Sequence, residues 1–327
     1  MDLYLMGDCI TSTGPGIANK EIKKSLEIGY KINCSSNNKI ILILSLYNQI
    51  KNSDILVICS FSKMNYIAIK IAKKLQKKIL YIMHGCATYE KKINDPLISI
   101  KQLNKIEKLE NYIFENVDKI VCVSKYFMDF MRTYKKEYYE KYDFIFNIVD
   151  IKNKNSYLPK KKQVFSTGGG MIRKNNYKVA CAIENLSCDF EYIIAGLNLE
   201  DGNKLREKNV CWKGEISHDE VIKLMSESYI YVQNSRFETF GLAVIEALYC
   251  GCNILISNNV GCKDLFSTLI DDDIIFNVDN ENEISEKIDK LIKNGNNERL
   301  RRGFLKEAVT RQWQLKKFQN IIGDLDK

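Results

Sequence analysis

The stretch Ser235-Arg236-Phe237-Glu238-Thr239-Phe240-Gly241-Leu242-Ala243-Val244-Ile245-Glu246-Ala247-Leu248 decides the fold. Two glutamates, Glu238 and Glu246, stand eight residues apart with Phe240-Gly241 between them. An apolar run suited to a strand, Tyr229-Ile230-Tyr231-Val232, precedes the stretch. A helical pattern follows and ends at Gly251, and Asn253-Ile254-Leu255-Ile256 reads as the next strand. The order is therefore strand, loop, helix, strand. Glu238 falls in the loop at the carboxyl end of the first strand. Glu246 falls about two turns into the helix, on the same side. Open α/β sheets bind ligands at the carboxyl ends of their parallel strands, and a helix N-terminus there favours phosphate. Two carboxylates flanking such a terminus suit a ligand with hydroxyls on both sides of a phosphate group, as in a nucleotide-sugar.

Strand and helix signals alternate outward from this segment. Asp54-Ile55-Leu56-Val57-Ile58 reads as a strand. Lys63 to Lys78 reads as an amphipathic helix with Ile67, Ile71 and Leu75 facing inward, and Lys78-Ile79-Leu80-Tyr81-Ile82-Met83 as the following strand. A helical stretch from Leu103 to Asn116 leads into Lys119-Ile120-Val121-Cys122-Val123-Ser124. Continuous apolar strands between helices imply a parallel sheet covered on both faces. The pattern breaks around residues 150–162, where Asp150-Ile151-Lys152-Asn153-Lys154-Asn155-Ser156-Tyr157-Leu158-Pro159 reads as a polar linker. It restarts at Gln163-Val164-Phe165-Ser166, and Phe190 to Ala195 and Asp273 to Val278 continue a second sheet. The expected architecture is two doubly wound α/β domains facing across a cleft, over residues 1–155 and 156–310. A C-terminal helix over 311–327 is expected to pack back toward the first domain.

A chain of 327 residues suits two domains, and 45% apolar with 28% charged residues is the composition of a soluble globular protein. The longest apolar run, Ile40-Ile41-Leu42-Ile43-Leu44, is far short of the roughly 20 residues that span a bilayer. Met1-Asp2-Leu3-Tyr4-Leu5-Met6-Gly7 lacks a basic leader region and reads as a first strand. Eleven cysteines without a CxxC pair imply reduced thiols rather than a disulfide framework or zinc site, consistent with a cytoplasmic location. Charge is uneven. Residues 1–155 hold 25 Lys and Arg against 16 Asp and Glu, a net of +9, and residues 156–327 hold 24 against 25, a net of −1. The basic half implies either an anionic surface partner or simply solvated lysine-rich helix faces.

The segment from Cys211 to Gly261 resembles the donor-binding half of glycosyltransferase family 4, retaining enzymes of the GT-B fold. The likeness runs in order through Trp212-Lys213-Gly214-Glu215-Ile216-Ser217, a helix near Glu220, Asn234-Ser235, Glu238, Phe240-Gly241, Glu246-Ala247, Gly251 and Val260-Gly261. Its hallmark is two glutamates separated by seven residues, met by Glu238 and Glu246. Thr13-Gly14-Pro15-Gly16 resembles the family's glycine loop, and His84-Gly85 a pair that closes a strand there. Asp118 to Ser124 and Asn147-Ile148-Val149-Asp150 resemble two further markers.

The resemblance implies that Glu246 accepts ribose hydroxyls and that Glu238 holds hydroxyls of the transferred sugar. A helix N-terminus at Phe240-Gly241-Leu242 would offer backbone N–H groups to the diphosphate, with Gly241 letting the phosphate approach. The leaving nucleotide gains negative charge in the transition state and needs cations. Lys174 in Ser166-Thr167-Gly168-Gly169-Gly170-Met171-Ile172-Arg173-Lys174-Asn175 matches the family's lysine, whereas Gly169 stands where the family carries an arginine. Either Arg173 supplies the second cation, or the glycines form a nest of N–H groups for the anion. The family places a histidine at the position of His84 to contact a sugar hydroxyl. Gly14 and Gly16 are carried over as substrate-binding positions. His218 sits in what reads as a helix cap and receives no chemistry.

No metal cluster is visible in the sequence, and no cofactor is implied beyond the nucleotide-sugar donor. The implied function is retaining, metal-independent hexosyl transfer to a glycan or lipid-linked glycan, in cell-surface polysaccharide synthesis. A GT-B nucleotide-sugar epimerase and a non-enzymatic binder of anionic ligands are the alternatives. No nucleic-acid motif is present. Lysines between Lys63 and Lys78, with Lys125 to Lys136, where aromatics and Met alternate with basic residues, imply reversible docking on an anionic membrane at its inner face.

Overall fold

The computed structural model describes residues 1–9, 13–34, 43–149 and 160–325. The chain divides into two compact units. Unit 1 comprises Met1–Lys92, Leu97–Ile148 and Lys306–Lys327, and unit 2 comprises Ile93–Pro96 and Val149–Leu305.

Unit 1 carries strands β1 (Asp2–Met6), β2 (Lys31–Cys34), β3 (Ile55–Ile58), β4 (Lys78–Met83), β5 (Lys119–Cys122) and β6 (Tyr142–Phe144). They form one parallel sheet in the order β2-β1-β3-β4-β5-β6, with Leu3 beside Ile55 and Val57 beside Leu80. Unit 2 carries β7 (Lys161–Thr167), β8 (Glu191–Ala195), β9 (Val210–Trp212), β10 (Ser228–Gln233), β11 (Asn253–Ser257) and β12 (Ile274–Ile275). Their order is β12-β11-β10-β7-β8-β9, again all parallel. Both units have the doubly wound α/β build that the alternation predicts. The central strands are continuous apolar runs because helices cover both faces: every residue of β3 and of β11 is buried.

The strand order reverses direction once in each sheet, between β1 and β3 in unit 1 and between β7 and β10 in unit 2. At such a point the neighbouring loops leave on opposite faces, opening a crevice at the carboxyl ends of the strands. Both candidate sites lie there.

Several details differ from the sequence expectation. The helix expected over Lys63 to Lys78 ends at Lys74, because Gln76 adopts φ 54° and Lys78 already opens β4. Its inward side is Asn65, Ala68, Ile69 and Ala72, whereas Ile67, Ile71 and Leu75 are only half-buried. Ala68 and Ala72 let this helix approach its neighbours closely, with Ile69 packed beside them and Ile67 and Ile71 on the flanks. The strand expected over 273–278 shrinks to the two residues of β12. The expected linker residues 150–159 lie outside the described residues.

Candidate active site

Unit 2 builds its site from the two strands flanking the reversal. Tyr231 and Gln233 lie on β10, and Thr167 ends β7. The Tyr231 hydroxyl donates to Gln233 Oε1 at 2.8 Å and, being so oriented, accepts from Thr167 Oγ1 at 2.8 Å. Gln233 Nε2 in turn donates to Ser235 Oγ at 3.0 Å and Glu238 Oε2 at 3.1 Å. Glu238 is fixed through its backbone as well: its N–H donates to the Asn259 carbonyl at 3.0 Å, and its carbonyl accepts from the Gly261 N–H at 2.9 Å.

Two cations converge on the same carboxylate oxygen. Lys174 Nζ donates to Glu238 Oε2, and Arg173 Nη1 lies 3.3 Å from it while also donating to the Phe237 carbonyl at 2.9 Å. The three side chains are 13–16% exposed. Burial pushes the Glu238 carboxyl up, but the charges of Lys174 and Arg173 outweigh it and hold the group below its ordinary value. Glu238 is therefore ionised at neutral pH. All of these bonds fall on Oε2, and Oε1 makes none among the described residues.

The helix Leu242–Tyr249 follows, with Gly241 as its N-cap at φ 97°. A Cβ on Gly241 would lie 2.9 Å from Val260 Cγ1, so both backbone and packing call for glycine. First-turn amides of a helix have no acceptor within it and can face an anion. The helix is buried on every side except a stripe formed by Leu242, Ala243 and Glu246. Glu246 is the fifth helical residue, little more than one turn in rather than two. Three- and four-residue spacing puts it on the same face as the helix entrance.

Three sequence expectations are corrected here. Gly169 and Gly170 do not form an anion nest, because their N–H groups donate to the Ala195 and Leu197 carbonyls, each at 3.0 Å. Gly169 is required sterically: it has φ 55°, and a Cβ would collide with the Leu197 carbonyl oxygen. Arg173 joins Lys174 as a second cation on Glu238 Oε2. The Phe240 side chain is 2% exposed and belongs to the core, so only its backbone borders the helix entrance. Gly14 and Gly16 form the first turn of the helix Gly14–Leu26 rather than an open loop, and the Gly16 N–H donates to its N-cap, Thr13 Oγ1, at 3.2 Å.

His84 lies in unit 1 at the end of β4, with Nε2 2.6 Å from Asn19 Oδ1. Burial pushes its imidazole down to about 4, so it is neutral at neutral pH. It lines a cavity of about 290 Å³ with Asp8, Asn19, Ser60 and Glu90.

Sequence reasoning missed three residues. Gln233 relays Tyr231 to Glu238, and its period-two position facing Tyr231 was the available signal. His218 is the first residue of the helix His218–Glu227, behind the Ser217–Glu220 capping box, and its Nε2 lies 3.5 Å from Glu246 Oε1. Nothing local foretells that pairing. Asn19 resembles any polar residue of a helix until the fold places it against three strand ends.

The second unit also carries the family likeness. Residues 149–308 match the model of the glycosyl transferases group 1 family. That segment contains Arg173, Lys174, Glu238 and Glu246. No curated protein matches the sequence. Among solved structures, the Anabaena protein HepE in complex with UDP-glucose aligns over 100% of this chain and 99% of its own, with 13% identity and a TM-score of 0.69. Sucrose-phosphate synthase from Thermosynechococcus elongatus covers 99% of each chain with 14% identity and a TM-score of 0.71. A glycosyltransferase from Rickettsia africae covers 100% and 98% with 16% identity and a TM-score of 0.69. These likenesses establish the two-unit GT-B fold, and with the family match they support a glycosyltransferase.

Proposed function

We propose that the chain is a retaining glycosyltransferase of family 4 type that moves a hexose or related sugar from a nucleotide-sugar to a glycan or lipid-linked glycan. The observation that carries this reading is the ionised, half-engaged Glu238 at the strand reversal, beside a glycine-capped helix entrance whose accessible stripe holds Glu246. Glu246 takes the ribose hydroxyls and Glu238 Oε1 the sugar hydroxyls. Leu242 and Ala243 offer N–H groups to the diphosphate. As the bond from the anomeric carbon to the diphosphate oxygen breaks, charge grows on the leaving group, and Arg173 and Lys174 neutralise it in place of a metal. His84 meets a sugar hydroxyl in the unit 1 cavity.

HepE is bound to UDP-glucose in its structure. UDP-glucose is therefore the first donor to test, within a panel of nucleotide-sugars followed by thermal shift and nucleotide release. Release that depends on an added acceptor supports transfer. Isomerised donor without acceptor supports an epimerase, and no stabilisation by any nucleotide-sugar refutes the site.

We also propose a cytoplasmic protein that docks on an anionic membrane, acting in cell-surface polysaccharide synthesis. No helix among the described residues is long and apolar enough to cross a membrane. Within 125–136, Phe127, Met128 and Met131 are core and Lys135 is buried against Glu107, while Lys125, Tyr134 and Lys136 are exposed. Further support comes from the helices Lys63–Lys74 and Ile100–Asn116, which touch through Tyr66 and Tyr112 with ring centroids 4.3 Å apart. Lys63, Lys70, Lys73, Lys74, Lys101, Lys105 and Lys108 are exposed on them, beside exposed Met64 and Ile100. Each is worth about 1 kcal/mol near an anionic surface. Co-sedimentation with anionic but not neutral vesicles, lost in K101E/K105E/K108E, supports docking. Equal binding to both vesicle types refutes it.

A further inference from the structure

Asn19 makes three polar contacts that tie together the ends of three adjacent strands. It is 1% exposed, on the helix Gly14–Leu26. Its Nδ2 donates to the Asp8 carbonyl beyond β1 at 2.9 Å and to the Cys59 carbonyl beyond β3 at 3.2 Å. Its Oδ1 faces His84 Nε2, beyond β4, at 2.6 Å. These are the strands on either side of the reversal in unit 1, together with the next one in the sheet.

The chemistry of an amide leaves one assignment. Both acceptors facing Nδ2 are backbone carbonyls, which only accept. The amide nitrogen must therefore point at them, and the amide oxygen must point at His84. An oxygen that only accepts requires a proton on His84 Nε2. In a neutral imidazole the other nitrogen, Nδ1, then has the acceptor role.

We propose that Asn19 is a positioning residue that locks His84 in the Nε2–H form, so that Nδ1 recognises a hydrogen-bond donor such as a sugar hydroxyl. A phosphate or carboxylate oxygen is not a partner for that nitrogen. Burial supports the neutral state by holding the imidazole near 4. Asp8 and Glu90 line the same cavity, and both would favour protonation if the ring were less buried. The functional part of this inference rests on His84 touching substrate; the tautomer does not.

The chain has two histidines, so a long-range proton–nitrogen NMR spectrum of histidine-labelled protein at neutral pH shows two imidazoles. His84→Gln and His218→Gln assign them. The wild-type His84 signal is expected to show a protonated Nε2 and an unprotonated Nδ1. Asn19→Ala should convert it to a tautomer mixture, with the His218 signal unmoved. Asn19→Asp keeps an acceptor opposite Nε2 while losing both bonds to the carbonyls, and should restore the proton to Nε2. A merely structural role predicts that Asp behaves like Ala. A wild-type His84 protonated on Nδ1 overturns the proposal even if no variant folds, as does an unchanged tautomer in Asn19→Ala. A tautomer shift without any loss of kcat would leave Asn19's role standing and refute instead the reading of His84 as a substrate contact.

Discussion

Replacing Glu238 by Gln removes a charge and almost no volume, so its effect isolates the electrostatics of the unit 2 site. In the wild type, Lys174 and Arg173 are both directed at Glu238 Oε2, and all three side chains are largely shielded from water. E238Q leaves two shielded cations facing a neutral amide. Removing one partner of a buried ion pair costs about 3–5 kcal/mol, because the remaining charge is left uncompensated. Residual exposure places this site at about 3 kcal/mol. For a unit of this size, each kcal/mol shifts the midpoint by about 2–4 °C, so unit 2 should melt about 6–12 °C lower. The pH dependence has a defined sign. The folded pKa of Glu238 lies below the unfolded value of 4.5, so its stabilisation is full above that value and is lost as pH falls through the folded one. The gap between wild type and E238Q should therefore hold at neutral pH and close only in acid. The two tryptophans make the assay specific, since Trp212 lies in unit 2 and Trp313 in unit 1. Thermal melts of W313F and W313F/E238Q follow unit 2, and W212F and W212F/E238Q follow unit 1. A shift under about 2 °C in the Trp212 signal, or an equal shift in both signals, would refute the reasoning.

Other perturbations give distinct outcomes. Glu246→Ala should weaken donor binding by roughly 10- to 100-fold, the loss of one charged hydrogen bond at about 1.5–3 kcal/mol, as read by calorimetry. Lys174→Ala should slow turnover roughly 100- to 1,000-fold, and the wild-type rate should survive a chelator; an absolute requirement for added divalent metal would count against the mechanism. His84 has a folded pKa of about 4 against 6.5 unfolded, so the unfolded chain takes up a proton in that window and the folded chain does not. Stability should fall by about 3 kcal/mol between pH 7 and pH 4 through this group alone, and His84→Gln should remove that part of the decline in urea titrations.

The sequence announces the fold because its informative units are local. Continuous apolar strands such as Ile55–Ile58 and Asn253–Ser257 state that both faces are covered, and the helices between them impose parallel pairing. Glu238 and Lys174 were singled out by the motif they share with the resembled family, and Arg173 by its place in the same segment as Lys174; the fold brings the three together at Glu238 Oε2. The neighbours that set their chemistry were not singled out. Gln233 and Asn19 are ordinary amides whose roles come from the groups the folded chain brings beside them, the Glu238 carboxylate for Gln233 and two backbone carbonyls for Asn19. Gly169 shows the converse case. A glycine run predicts an open backbone, but packing of Gly169 against Gly196 and Leu197 closes it, and the amides expected for an anion bind carbonyls instead. The aromatic and methionine residues between Lys125 and Lys136 were ambiguous for a similar reason, since one helical period serves a core face or a membrane face equally well.

The central claim is sugar transfer from a nucleotide diphosphate at the unit 2 site, with retained anomeric configuration. The most direct measurement is proton NMR of the product made from an accepted nucleotide-sugar and acceptor, by wild type and by Glu238→Ala. The account predicts a new glycosidic signal with the donor's anomeric configuration in the wild type, and its near-complete loss in Glu238→Ala. An inverted anomer, or undiminished product from Glu238→Ala, would contradict it.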